Sequence, residues 1–231
     1  MSIFKSKMCG KLTATSPIFK KNKSATNNNT LQKFNFYMEE IKETVISKNI
    51  TSIDEYAFEG CEALEKITVD KDNRHYLSID GNLYNKDATD LIQYAPGKKD
   101  TSFVIPNSVA HICPFAFSCC KNLTAVTIPE GVKLIGKGAF EFCVSIRHMT
   151  IGNAVEIIEA GAFYWCKSLT TVTIPKSVKQ IEHFTFEDCD NLTDIYYLGT
   201  KNEWYKIKLG NRNNPLLKAR MHYSECSLNE V

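Results

Sequence analysis

One histidine and three cysteines fall within ten residues of this chain, in the stretch HICPFAFSCC: His111, Cys113, Cys119 and Cys120. Imidazole nitrogens and thiolate sulfurs are the ligands zinc prefers. A thiol held beside an imidazole is also the arrangement that activates a cysteine as a nucleophile. Both chemistries need more than proximity in sequence. Zinc needs about four convergent ligands, and a nucleophilic thiol needs its base oriented by a third group. The elements that carry these four residues decide whether either condition is met.

The cysteines give the first clue to those elements. There are nine, Cys9, Cys61, Cys113, Cys119, Cys120, Cys143, Cys166, Cys189 and Cys226, an odd number that rules out complete pairing within the chain. Cys120, Cys143, Cys166 and Cys189 lie 23 residues apart each time, and Cys61 lies 59 before Cys120. A Phe three residues earlier keeps step (Phe58, Phe117, Phe140, Phe163, Phe186), as does an apolar residue three later (Leu64, Leu123, Ile146, Leu169, Leu192). Segments such as GKGAFEFCVSIRHMTIGNAVEII and EAGAFYWCKSLTTVTIPKSVKQI superpose on one template: small-Phe-x-x-Cys-x-x-Leu-x-x-Val-Thr-Ile-Pro-x-x-Val-x-x-Ile. A fixed internal period of this length is the signature of a stacked repeat.

Within a repeat, LTAVTI alternates apolar and small polar residues, which predicts a short strand with Leu123, Val126 and Ile128 inward and Ala125 and Thr127 outward. The Pro or Gly that follows ends the strand. SVKQI predicts a second short extended piece on the opposite side, and GAFYWC a return that buries Phe and Cys. One such unit has too few apolar side chains for a core, so copies must bury one another. The predicted fold is a mainly β repeat solenoid, a right-handed coil stack with strands beginning near residues 41, 64, 100, 123, 146, 169 and 192. At about 4.8 Å per strand the stack is roughly 30 Å long. The interval between 64 and 100 is 36 residues instead of 23. Its extra residues include NLYN and DLIQYAP, β-prone runs separated by turn formers, and predict a β-hairpin projecting from one coil, with the insertion at about 70–99.

These motifs resemble the BspA-like class of leucine-rich repeats, a bacterial surface-antigen type. The resemblance rests on AF-x-x-C-x-x-L-x-x-V-T-I-P-x-x-V-x-x-I, on the inserted SIDGNLYNKDATDLIQYAPGKK, and on the ending IYYLGTKNEWYKIKLGNRNNPLLKARMHY, which looks like that family's terminal cap. It covers about residues 41–223. It implies a non-enzymatic module that binds a protein or a glycan, with an adhesion-like role at the cell surface or in secreted form. The chain departs from ordinary leucine-rich repeats where an asparagine ladder would run. Asn49, Ser108, Gly131, Ala154 and Ser177 stand there.

In this register the opening question has a plain answer. Cys120 belongs to the buried Cys column and acts as a small hydrophobe. His111 shares its column with Ser52, Leu134, Ile157 and Gln180, Cys113 with Asp54, Gly136, Glu159 and Glu182, and Cys119 with Gly60, Phe142, Trp165 and Asp188. These columns vary freely, and nothing pairs the His and Cys with a second ligand group, so no metal and no reactive thiol is expected, and neighbouring thiols should stay free. There is no glycine-rich phosphate loop, no H-E-x-x-H and no G-x-S-x-G. The chain is therefore expected to be non-enzymatic and to need no cofactor.

Composition agrees with an ordinary folded protein. The chain has 231 residues, 43% hydrophobic and 23% charged, with a formal net charge of +2. That balance gives no drive toward nucleic acid, and no run of about 18 apolar residues predicts a membrane span. The first 38 residues hold seven Lys and no Asp or Glu. They lack the apolar stretch of a secretory signal, and residues 1–30 are expected to be a disordered Lys/Asn/Ser/Thr-rich tail, followed by the solenoid over 31–198 and a capping segment over 199–231. The missing signal and the reduced-looking cysteines favour the alternative of an intracellular, cytoplasmic scaffold that mediates assembly.

Function in a solenoid resides on its extended surface. The outward strand positions form two columns, Lys66, Ser102, Ala125, His148, Thr171, Asp194 and Thr68, Val104, Thr127, Thr150, Thr173, Tyr196. The candidate binding residues on this strand face are Lys66, His148, Thr150, Thr171, Thr173, Asp194 and Tyr196. Sheet propensity alone also explains the threonines. Tyr76, Tyr84 and Tyr94 of the insertion form a second candidate surface, against which stands the alternative that they pack the hairpin onto the stack. For the cap, NEWYKI predicts a short helix with Asn202 as N-cap and Trp204 inward, and ARMHY a closing strand.

Overall fold

The computed structural model describes residues 26–27, 29–31 and 41–224. The chain coils so that each repeat contributes one strand to each of two faces. The first face carries Glu43–Ile46, Lys66–Val69, Ser102–Val104, Ala125–Thr127, His148–Thr150, Thr171–Ile174, Asp194–Tyr197 and Arg220–Tyr223. All pairings on it are parallel, in three successive ladders: the first two strands, the next two, and the last four. The second face is built of two-residue strands, His111–Ile112, Leu134–Ile135, Ile157–Ile158, Gln180–Ile181 and Lys208–Leu209, again parallel. The alternation read from LTAVTI holds: Leu123, Val126 and Ile128 are buried, and Ala125 and Thr127 are exposed.

The repeated side chains stack in register. The rings of Phe117 and Phe140 lie 4.8 Å apart at 8°, those of Phe140 and Phe163 5.3 Å apart at 4°, and those of Phe163 and Phe186 5.3 Å apart at 11°. Beside this column runs a ladder of thiols. The Cys143, Cys166 and Cys189 Sγ atoms donate to the carbonyls of Phe117, Phe140 and Phe163 at 3.0, 3.2 and 3.0 Å. Each of these carbonyls also accepts the backbone N–H of the Cys three residues on, at 3.2–3.3 Å, so the thiol takes its second lone pair and ties one coil to the next. The residue just before each Cys (Gly60, Cys119, Phe142, Trp165, Asp188) has a φ between 57° and 79°. This left-handed turn brings the chain back after the Phe.

The insertion differs from the expected projecting hairpin. Tyr76–Ile79, Asn82–Asn85 and Asp90–Gln93 form an antiparallel meander, and Asp90–Gln93 then pairs in parallel with His111–Ile112. The meander thus lies within the second face, whose sheet becomes eight-stranded. The signal for its first turn was Asp80–Gly81, both at positive φ, 49° and 75°, the requirement of a two-residue type I′ turn. The tip is tied back, because Ile67 N–H donates to the Gly81 carbonyl at 2.8 Å. At the exit, a Cβ on Gly97 would stand 2.4 Å from the Ala63 carbonyl carbon, and Gly97 N–H donates to Leu64 O at 2.8 Å. Only glycine fits that approach. Tyr94, 23 residues before Phe117, stacks on it at 5.3 Å and begins the ring column of the larger cluster, whereas Phe58 is only partly buried, against the smaller one. The apolar interior accordingly falls into two clusters, a smaller one around Ile46, Leu64 and Ile67 and a larger one from Tyr84 to Ala219.

The expected tail does not extend to residue 30. Thr26–Asn27 pairs antiparallel with Thr30–Leu31, which lies parallel to Ser52–Ile53, and Leu31 is buried. Residues 1–25 lie outside the described residues. At the other end, Lys208–Leu209 and Arg220–Tyr223 add a final strand to each face. The helix Lys201–Trp204 is capped by Thr200 rather than Asn202. Glu203 N–H donates to Thr200 Oγ1 at 3.3 Å and Thr200 N–H donates to Glu203 Oε2 at 2.7 Å, the reciprocal box spelled by T-x-x-E. A second helix, Asn214–Lys218, buries Leu216 while Leu217 stays exposed.

On the return ridge, Ser118 Oγ donates to Glu141 Oε1 at 3.0 Å. Burial, opposed by that hydrogen bond and reinforced by Glu59, lifts the Glu141 carboxyl from 4.5 to about 6. The folded chain therefore holds this proton more tightly than the unfolded chain does. The resulting stability is complete below pH 4.5 and is lost as pH rises through about 6, a difference of about 2 kcal/mol. Glu141→Gln, which keeps the contact with Ser118, is expected to raise the urea midpoint at pH 7.5 and to leave it unchanged near pH 4. Equal midpoints at pH 7.5 would show that the carboxylate carries no such burden.

Candidate functional site

The histidine and cysteines of HICPFAFSCC are dispersed by the coil. His111 points outward on the second face, with Nδ1 2.7 Å from Asp90 Oδ1. Cys120 is buried in the thiol column. Cys119 occupies the left-handed ridge position at φ 60°. The seven cysteines among the described residues are free. Burial pushes the Cys113 thiol up to about 12, helped by Asp90 and Glu159, and burial likewise raises Cys119 to about 12. A nucleophilic thiol needs the opposite shift.

The two tyrosines at the heart of the second candidate surface are not available to a ligand. Tyr84 and Tyr94 are 0% and 1% exposed, because the meander lies in the sheet and turns these rings into the larger core. Tyr76 is half-buried and its hydroxyl donates to Thr51 O at 3.4 Å.

The strand face is where polar side chains converge. Six of its seven candidates sit on three consecutive paired strands, with His148 opposite Thr171 opposite Asp194, and Thr150 opposite Thr173 opposite Tyr196. Alternation on the pleat keeps all six on the wet side, while Met149, Val172 and Ile195 fill the core beneath. His148 Nδ1 lies 2.7 Å from Thr171 Oγ1. Lys66 is exposed on the same face but belongs to the ladder on the far side of the insertion, and the structure does not bring it to this group.

Two further residues complete the group. Arg220 lies opposite Asp194 and His222 opposite Tyr196. His222 Nε2 is 2.8 Å from Asp194 Oδ1, Arg220 Nε is 4.0 Å from the same oxygen, and the rings of Tyr196 and His222 stack at 4.5 Å. The hydrogen bond from His222, then that from Thr193, holds the Asp194 carboxyl below its ordinary range. Sequence reasoning missed Arg220 and His222 because ARMHY lies 26 residues beyond DIYY, outside the 23-residue period. The R-M-H-Y alternation was the available signal. The result is a fixed acceptor, a guanidinium and two aromatic edges on a rigid sheet.

The BspA-type leucine-rich repeat region, in six copies, matches residues 18–85 and 96–208. The chain belongs to this family. Among solved structures, this BspA-type chain is similar to a leucine-rich repeat protein from Eubacterium ventriosum, with 30% identity and a TM-score of 0.70 over 80% of this chain and 48% of that one. A leucine-rich cell surface protein from Faecalibacterium prausnitzii is 28% identical, with a TM-score of 0.59 over 73% of this chain and 51% of that one. The pneumococcal vaccine antigen PcpA, 22% identical with a TM-score of 0.69 over 81% of this chain and 46% of that one, shares the fold. The BspA-type chain thus spans about half the length of each of these three structures. No curated protein matches it. Among the described residues no helix is long and apolar enough to cross a membrane.

Proposed function

We propose that the chain is a non-enzymatic binding module at the cell surface or in secreted form, and that it engages a protein or glycan through the strand face formed by His148, Thr150, Thr171, Thr173, Asp194 and Tyr196, joined by Arg220 and His222. The observation that carries this reading is the concentration of hydrogen-bonding and aromatic groups on the last four paired strands. These side chains are already oriented by mutual contacts, so a ligand would lose little side-chain entropy in binding them. The similarity to a leucine-rich cell surface protein supports the location. Lys66, apart from this group, would contribute a separate contact. The test is a screen of the chain on a glycan array and against surface-exposed protein, followed by Asp194→Asn with Tyr196→Ala. This double variant is expected to lose affinity by roughly 30-fold at unchanged melting temperature, with Thr127→Ala, three strands away, as the neutral control. A ligand whose affinity ignores Asp194 and Tyr196 would refute the proposed face. Capture of cytoplasmic assembly partners alone would favour the scaffold alternative.

A further inference from the structure

The meander adds strands to one side of the coil only. On the second face, Tyr76–Ile79 and Asn82–Asn85 extend the sheet beyond Asp90–Gln93, whereas on the ridge the loop at 54–58 meets the loop at 113–118 directly. There the rings of Tyr56 and Phe115 are 4.9 Å apart, and Lys137 Nζ reaches the Tyr56 hydroxyl at 2.7 Å and Glu55 at 3.7 Å. Two surfaces joined at one edge and spread by extra strands at the other leave a wedge. The wedge is a cleft of about 190 Å³. Its walls are mainly apolar and aromatic, formed by Ile53, Phe58, Tyr76, Ile92 and Pro114 with Cys113 and the Gln93 amide, and the exposed Asp54 and Glu55 also line it. Drug-sized ligands and cofactors occupy about 300–1,000 Å³, so this volume suits one long side chain.

Charge narrows the choice. Two carboxylates, Asp54 and Glu55, face the cleft. Against them stands one cation, Lys137, beside Glu55, while the nearby Asp90 is matched by His111 and Glu159 accepts from Lys137 N–H. An occupant with an apolar stem and a cationic head matches both features: the stem lies along Ile53, Ile92 and Pro114, and the head meets aromatic rings and carboxylates. We propose that this cleft is a second binding site, independent of the strand face, that takes the side chain of a Lys or Arg residue presented by a partner protein.

The test uses the whole chain and n-butylguanidinium as the probe, with n-butanol and butyrate as its neutral and anionic counterparts. Amide chemical shifts follow the titration. Saturable shifts confined to Ile53, Phe58, Ile92 and Cys113 are expected in the millimolar range, weaker by at least about tenfold for n-butanol and absent for butyrate. Asp54→Asn with Glu55→Gln is expected to weaken n-butylguanidinium about tenfold. Asp194→Asn with Tyr196→Ala should leave it unchanged, which separates this site from the strand face. Asp54 Oδ1 also accepts from Tyr56 N–H at 2.9 Å. Glu55→Gln alone, which spares that turn, must therefore weaken binding as well. Equal binding of n-butanol, shifts scattered over the acidic surface, or full affinity in Glu55→Gln would each overturn the proposal.

Discussion

Phe163→Ala is expected to lower the free energy of unfolding by roughly 3–5 kcal/mol. The ring is fully buried and lies between Phe140 and Phe186, each 5.3 Å away and nearly parallel to it. Removing it opens a void lined by two rings and the thiol ladder. That void cannot collapse easily, because the parallel ladders on both faces fix the spacing of the coils. In a stack the stability is a sum over coils and their interfaces, and Phe163 belongs to two interfaces at once. Phe58→Ala is the informative comparison. Phe58 holds the same template position but is only partly buried, against the smaller cluster. Its loss should amount to less than about 2 kcal/mol. Urea unfolding of both variants checks the pair. Equal midpoints for Phe163→Ala and the parent would contradict a load on the ring stack.

Removal of residues 199–231 is expected to abolish cooperative folding. The coil before this segment ends in Asp194–Tyr197, whose outer edge is paired by Arg220–Tyr223, and in Gln180–Ile181, whose outer edge is paired by Lys208–Leu209. Between these edges Leu216 is buried and Trp204, Ile207, Leu209, Met221 and Tyr223 pack on the core. Truncation strips both sheet edges and this apolar cover in one step. Exposed edges and apolar cross-sections drive association. Size-exclusion chromatography and a thermal melt of the truncated chain should show aggregates or a broad transition. A monomer with a sharp transition that had merely lost ligand binding would make the segment a binding element instead of a cap.

The amino-acid sequence by itself determined the repeat, the Phe and Cys columns and which strand residues face water. Those features are local: alternation has a period of two, and the coil repeats every 23 residues, so each unit carries its own instruction and the next confirms it. The Thr200 and Asp80–Gly81 signals were equally local, although the sequence reading begins the helix two residues late, at Asn202. What the tertiary structure alone decided lies where the period breaks. Nothing in NLYN or DLIQYAP states that their strands join the second face, and that route buries Tyr84 and Tyr94 and opens the wedge beside Tyr76. Arg220 and His222 reach Asp194 and Tyr196 only because the final strand docks in parallel across a 26-residue separation. Pairing at such a distance is chosen by the edge left open by the preceding coil and by the apolar area the segment must cover, and neither is written in the segment itself.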